Sequence, residues 1–207
     1  MSCKKLLEKL LTLCTSVIML SACSGGGDSG PPPSTITPSI GVFEDSAVSG
    51  LHYETPTFTG TTNSAGEYEY LPSESVTFSI GGIVLGSSVA GPVITPLSLV
   101  PGATDETNPI VTNIVRLLLT MDEDGNPDNG ISISAAAVTA AANQSVDFNA
   151  ADLAADPGIN NLLAALPGTP TLVDVTTAQT HFSATLASQS NWGSLSWGGG
   201  TWKSQTP

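Results

Sequence analysis

Beyond position 23 the 207-residue chain contains no cysteine: Cys3, Cys14 and Cys23 are all there are. A body without thiols has no disulfide, no thiolate nucleophile and no sulfur ligand for a metal. Basic side chains are nearly as scarce. Lysine and arginine total 5, and after Lys9 only Arg116 and Lys203 remain. With residues 1–22 removed, 185 residues carry 2 basic against 17 acidic groups, a formal charge of −15. Such a polyanion is repelled by phosphate backbones, so nucleic acid is excluded as a direct partner. Histidine occurs only at His52 and His181, one in a strand-like run and one in a helix-like run. No ligand spacing links them, and both are read as surface or helix-edge residues. The chain has no G-x-S-x-G elbow, H-E-x-x-H pair, phosphate loop or dinucleotide fingerprint. The expectation is a protein that is not an enzyme.

Long apolar runs are absent too. The longest near the start, Leu10 to Leu20, is too short to span a bilayer and follows Lys4, Lys5 and Lys9. It ends in Leu20-Ser21-Ala22-Cys23, with small residues before a cysteine. This three-part pattern resembles the lipobox of a bacterial lipoprotein precursor. The resemblance implies a signal peptide over 1–22, cleavage before Cys23, and a lipid on Cys23 that ties the protein to a membrane of the cell envelope. Ser24 is not the Asp associated with inner-membrane retention in enteric-type bacteria, so the same resemblance points to the outer membrane of a Gram-negative cell. Residues 23–39, rich in Gly, Ser and Pro, read as a tether.

From Ile40 to Leu99 short β-rich runs alternate with turn residues. Tyr68 and Tyr70 alternate with Glu67 and Glu69, and Val76, Phe78 and Ile80 with Thr77 and Ser79, the period of a half-buried strand. The spacing predicts antiparallel strands. Gly41-x-x-x-Asp45-x-x-Val48-x-Gly50, then Thr62-Asn63-x-x-Gly66-x-Tyr68-x-Tyr70 and Val76-x-Phe78, resembles the carboxypeptidase regulatory-like (transthyretin-like) β-sandwich modules of bacterial surface proteins. The likeness covers about 45 residues, implies a structural or adhesive role, and brings no catalytic residue. The β module is assigned to 40–107.

A helical region follows over 108–189. Asn108 and Pro109 open a helix through Met121 that is apolar on almost every side and therefore buried, against the open face of the sheet. Ser134, Asn149, Asp156 with Pro157, and Asp174 are the expected caps of four further helices. The fold class is thus α+β: an N-terminal antiparallel, sandwich-like sheet with short C-terminal helices packed on it.

Three features remain as candidate sites. Asp122, Asp124, Asn126 and Asp128 crowd oxygen donors into a loop after the buried helix, partly matching a calcium loop. Starting at Asp122, Pro127 and Ile133 replace the required Gly and Glu; starting at Asp124, Ala135 replaces the Glu. A solvated turn is the competing reading, so no cofactor is assigned and calcium stays open. In the tail over 190–207, Trp192, Trp197 and Trp202 recur every five residues. They read as a sugar-stacking platform or as anchors holding the tail to the domain. Arg116 sits among apolar neighbours and is expected to reach a carboxylate or carbonyls, with the acidic loop as a candidate partner. The functional expectation is a lipid-anchored envelope protein with a structural or adhesive surface domain. Its alternative is a module binding a glycan or calcium, and an envelope protein or glycan is the partner in view.

Overall fold

The computed structural model describes residues 37–191. Its sheets lie mainly in the N-terminal part and its helices in the C-terminal part, with one short strand between the first two helices, an α+β arrangement. Strand β1 (Ser39–Phe43) lies in the middle of a three-stranded sheet, between β5 (Glu67–Tyr70) and β8 (Val93–Ile94). A four-stranded sheet runs in the order β4 (Thr59–Thr61), β3 (His52–Glu54), β6 (Ser75–Ile80), β7 (Ile83–Val89).

The alternation in the sequence determines which side chains these sheets turn inward. Tyr68 and Tyr70 are buried while Glu67 and Glu69 are exposed, and Val76, Phe78 and Ile80 lose all contact with solvent. Phe43 of the first sheet meets Phe78 of the second edge-on, ring centroids 4.7 Å apart. Tyr68 meets the same ring at 5.2 Å and 88°. These aromatic contacts join the two sheets, with the edge-to-face geometry that ring quadrupoles favour. Close approach also demands glycine. A Cβ on Gly41 would stand 2.3 Å from the Gly91 carbonyl oxygen and 2.6 Å from the Tyr68 ring. The Tyr68 hydroxyl, in turn, donates to that carbonyl at 2.7 Å and accepts from the Gly91 N–H at 3.1 Å.

Not every strand pair is antiparallel. β1 pairs with β8 in parallel, and β2 (Val48–Ser49) pairs in parallel with β9 (Ile131–Ser132). Parallel pairing needs a long crossover, which both pairs have, and alternation carries no information about direction. The β2–β9 ladder fastens the helical half to the β half through a link spanning 82 residues, reinforced by the Ser49 hydroxyl donating to the Ile131 carbonyl.

Helix α1 (Pro109–Met121) starts as its sequence predicts: Pro109 opens it and the Asn108 side chain accepts from the Ile110 and Val111 N–H groups. Every residue from Val111 to Met121 is buried, in the same core as the sandwich aromatics. Ser134 caps α2 (Ala135–Ala141), Asp156 caps α3 (Pro157–Ala165), and Asp174 Oδ1 accepts from Thr177 N–H at the start of α4 (Val175–Asn191). At 17 residues α4 is longer than the short helices expected. Asn149 caps nothing. Its N–H is taken by Asp147 Oδ1 in a local turn, and the helical turn that follows is a 3₁₀ segment, Leu153–Ala155, capped by Asp152.

Candidate functional site

Asp45 lies in the turn between β1 and β2, closed by a bridge from Glu44 to Ala47 and forced round by a left-handed Ser46 at φ 57°. The sequence presents it as turn punctuation. In the fold it is fully buried, and the nearest titratable group is the His181 imidazole, whose Nε2 lies 3.1 Å from Asp45 Oδ1. The two are close enough for an ion pair, yet the contact is not an aligned hydrogen bond, and neither carboxylate oxygen nor Nε2 has another hydrogen-bond partner. His181 is therefore not the surface or helix-edge residue expected, since its side chain is only 15% exposed. The reason is topological: the turn that buries Asp45 and the helix that carries His181 are more than 130 residues apart, and no spacing rule reports such a meeting.

Burial pushes the Asp45 carboxyl above its ordinary range, against the opposing pull of His181. Contact with Asp45 raises the His181 imidazole, outweighing its own desolvation, and the charge of Asp128 raises it a little further. Asp128 is near because the Ile131 N–H donates to the Ala47 carbonyl at 3.0 Å, laying the end of the acidic loop beside the Asp45 turn. Gln189, two turns beyond His181, donates to Glu44 Oε2 at 3.2 Å. His52 is elsewhere, exposed on β3 beside a cleft lined by Gly50, Thr61, Gly81, Val138 and Thr139.

The four oxygen-bearing residues of the acidic loop do not converge. Asp124 Oδ1 accepts from Asn126 N–H at 2.9 Å and its Oδ2 from Asn129 Nδ2 at 2.8 Å. Asp122 Oδ1 accepts from Ser132 N–H at 2.9 Å, leaving Oδ2 buried without a donor. Asn126 and Asp128 are exposed. Burial first, and then the charge of Asp124, raise the Asp122 carboxyl; the Asn129 amide and the Asn126 N–H lower that of Asp124. Among the described residues no three His, Cys, Asp or Glu side chains are arranged to hold a metal ion.

Arg116 does not reach the acidic loop. Its Nε donates to the Val173 carbonyl at 2.7 Å and Nη1 to Asn113 Oδ1 at 3.1 Å. Asn113 Nδ2 in turn donates to the Phe148 and Ala150 carbonyls, and Thr120 Oγ1 accepts from Val173 N–H. One face of α1 thus holds the extended chain before and after α3 by polar bonds. Desolvation eases the guanidinium's hold on its proton, and the fields of Asp152 and Asp174 offset this only in part.

The register of the four-stranded sheet builds a face that the sequence shows only strand by strand. Thr61, His52, Ser79 and Val84 form one cross-strand row, and Thr59, Glu54, Thr77 and Ser87 the next. Thr77 and Ser87 share a hydroxyl–hydroxyl bond at 2.7 Å. In a strongly acidic chain, these two rows carry one carboxylate, Glu54, and otherwise hydroxyls, an imidazole and a valine.

Cys23, Trp192, Trp197 and Trp202 lie outside the described residues. No described helix is long and apolar enough to cross a membrane. Compared with protein-family models, curated proteins and solved structures, the chain matches none.

Proposed function

We propose that this is a lipid-anchored protein of the cell envelope that displays a non-catalytic α+β domain for adhesion to a neutral, hydroxyl-rich surface, with a glycan as the favoured partner. The observation that supports this reading best is the outer face of the four-stranded sheet. An extended array of Thr and Ser hydroxyls offers donors and acceptors at strand spacing, with Glu54 the single carboxylate in the two rows, so it carries little of the charge that repels acidic envelope polymers. Val84, 58% exposed, adds apolar contact at the end of one row. The Gly- and Pro-rich stretch after Cys23 suits presentation at a distance from the bilayer.

Retention of the protein on neutral polysaccharide beads tests the reading. Thr61→Glu combined with Val84→Glu places two carboxylates at opposite ends of the same exposed row and is expected to weaken retention at least tenfold. Unchanged retention removes the sheet face from the reading. Loss confined to alanine variants of Trp192, Trp197 and Trp202 transfers the role to the tail.

A further inference from the structure

The Asp45–His181 contact is unlike the other polar contacts of α4. Along the helix the fully buried apolar side chains are Ala178 and Phe182, joined by the largely buried Thr185. Two further cross-element bonds of the helix come from neutral donors, Gln179 Nε2 to the buried Thr112 Oγ1 on α1 and Gln189 Nε2 to Glu44 Oε2 on the β1–β2 turn. His181 is the only titratable residue between Val175 and Asn191. It meets a carboxylate with no solvent contact and no other hydrogen-bond donor. With Ala178 and Phe182 fully buried and Leu186 half-buried against the core, α4 depends on that contact more than a helix buried on nearly every side, such as α1, would.

From this geometry we propose that Asp45 and His181 form a protonation-dependent latch that holds helix α4 on the β module, closed while the pair shares a proton and loosened when it is lost. This inference is independent of the display reading. With one proton between them, the pair is either an imidazolium against a carboxylate or two neutral groups, and in neither case is a net charge buried. Without it, Asp45 is a buried anion facing a neutral ring, and a buried charge lacking an opposite one is costly. The charged groups around the pair make this worse. Asp128 from the acidic loop acts on His181, and Glu44 adjoins Asp45 in the same turn; both are acidic. Among the described residues no Lys or Arg side chain hydrogen-bonds or ion-pairs with either member.

The sign of the pH dependence follows. Both groups hold their protons more firmly in the fold than in the unfolded chain, Asp45 through burial and His181 through Asp45. The folded state therefore binds more protons, and the contribution to stability falls as pH rises. For His181 it is fully present below the free imidazole value of about 6.5 and is lost as pH climbs through the raised folded value. The latch is closed in mildly acidic surroundings and opens on the alkaline side. Immediately after α4 comes the segment carrying all three tryptophans, so α4 links this switch to the tail.

Imidazole titration by NMR, joined to amide exchange, tests the proposal in the full chain held in mild detergent. With two histidines there are two ring signals, assigned with His52→Gln. His181 is expected to titrate above the free imidazole value, raised by its contact with Asp45. Across that midpoint, α4 amides, corrected for intrinsic exchange, should lose at least tenfold protection while those of α1 keep theirs. Asp45→Asn should bring the His181 midpoint back toward 6.5 and make α4 protection independent of pH. If Asp45→Asn does not fold, the wild-type titration decides alone. A His181 midpoint at or below 6.5 overturns the proposal, and so does a raised midpoint with flat α4 protection, which describes a static pair.

Discussion

Arg116 and Asn113 stand one turn apart on α1, and the guanidinium donates to the Asn113 amide oxygen at 3.1 Å while the amide nitrogen holds the carbonyls of Phe148 and Ala150. Neither partner is a carboxylate. The helix buries a cation by giving it carbonyl and amide oxygens, which leaves it charged and the surrounding loops fixed.

Replacing either residue alone strands the other's polar groups. Arg116→Met leaves the Val173 carbonyl and the Asn113 oxygen without donors, and should destabilise the protein by about 1 to 3 kcal/mol. Asn113→Leu should cost a similar amount, about 1 to 3 kcal/mol, by stranding two backbone carbonyls and the guanidinium. The double variant should lose less than the sum of the singles, with a coupling of about 0.5 to 3 kcal/mol. Urea unfolding of the four proteins measures this, and strict additivity would show the bond to be incidental.

The close contact of the first sheet with the Ala90–Pro92 segment rests on Gly41. Its missing Cβ makes room for the Gly91 oxygen and the Tyr68 ring, so Gly41→Ala should cost about 3 kcal/mol, the upper end of the usual range for core overpacking. Gly91→Ala meets nothing within 4 Å and should stay within about 0.5 kcal/mol of wild type. Equal melting temperatures for the two variants would contradict the packing described.

The helical half was legible wherever a local signal marks an element. Asn108-Pro109, Ser134, Asp156-Pro157 and Asp174 each satisfy orphan N–H groups of the helix they begin, so the residues themselves announce the start. Tyr68, Tyr70, Val76, Phe78 and Ile80 likewise declare their faces by alternation. What escaped depends on distant meetings. The parallel β1–β8 and β2–β9 pairs, the Asp45–His181 contact and the link from Arg116 to Val173 all join residues whose sequence separation carries no period. Asn149 suits a cap by its residue type, but the local turn there is made by Asp147, whose carboxylate accepts the Asn149 N–H, and Asp152 caps the helical turn that follows. Of the candidate sites, the loop was visible as a cluster, but not that Asn126 and Asn129 would occupy the oxygens of Asp124.

That occupancy bears on calcium. Any ion must displace the Asn129 amide and draw in Asp128, so affinity should be no better than the millimolar range of extracellular modules. At a few-fold excess over such a dissociation constant, linkage gives about 1 kcal/mol, or about 2 to 4 °C in melting temperature. Melts in EDTA and in a few millimolar calcium check this. A rise beyond about 10 °C that Asp122→Asn and Asp124→Asn abolish would make the loop a calcium site.

Anchoring through Cys23 is the claim on which the display reading stands, and metabolic labelling with palmitate, followed by fractionation, tests it most directly. Wild-type protein should take up label and sediment with envelope membranes, while Cys23→Ala takes up none and appears in the soluble fraction. Equal labelling of both forms, or unlabelled wild-type protein in the soluble fraction, would contradict a lipid-anchored surface domain.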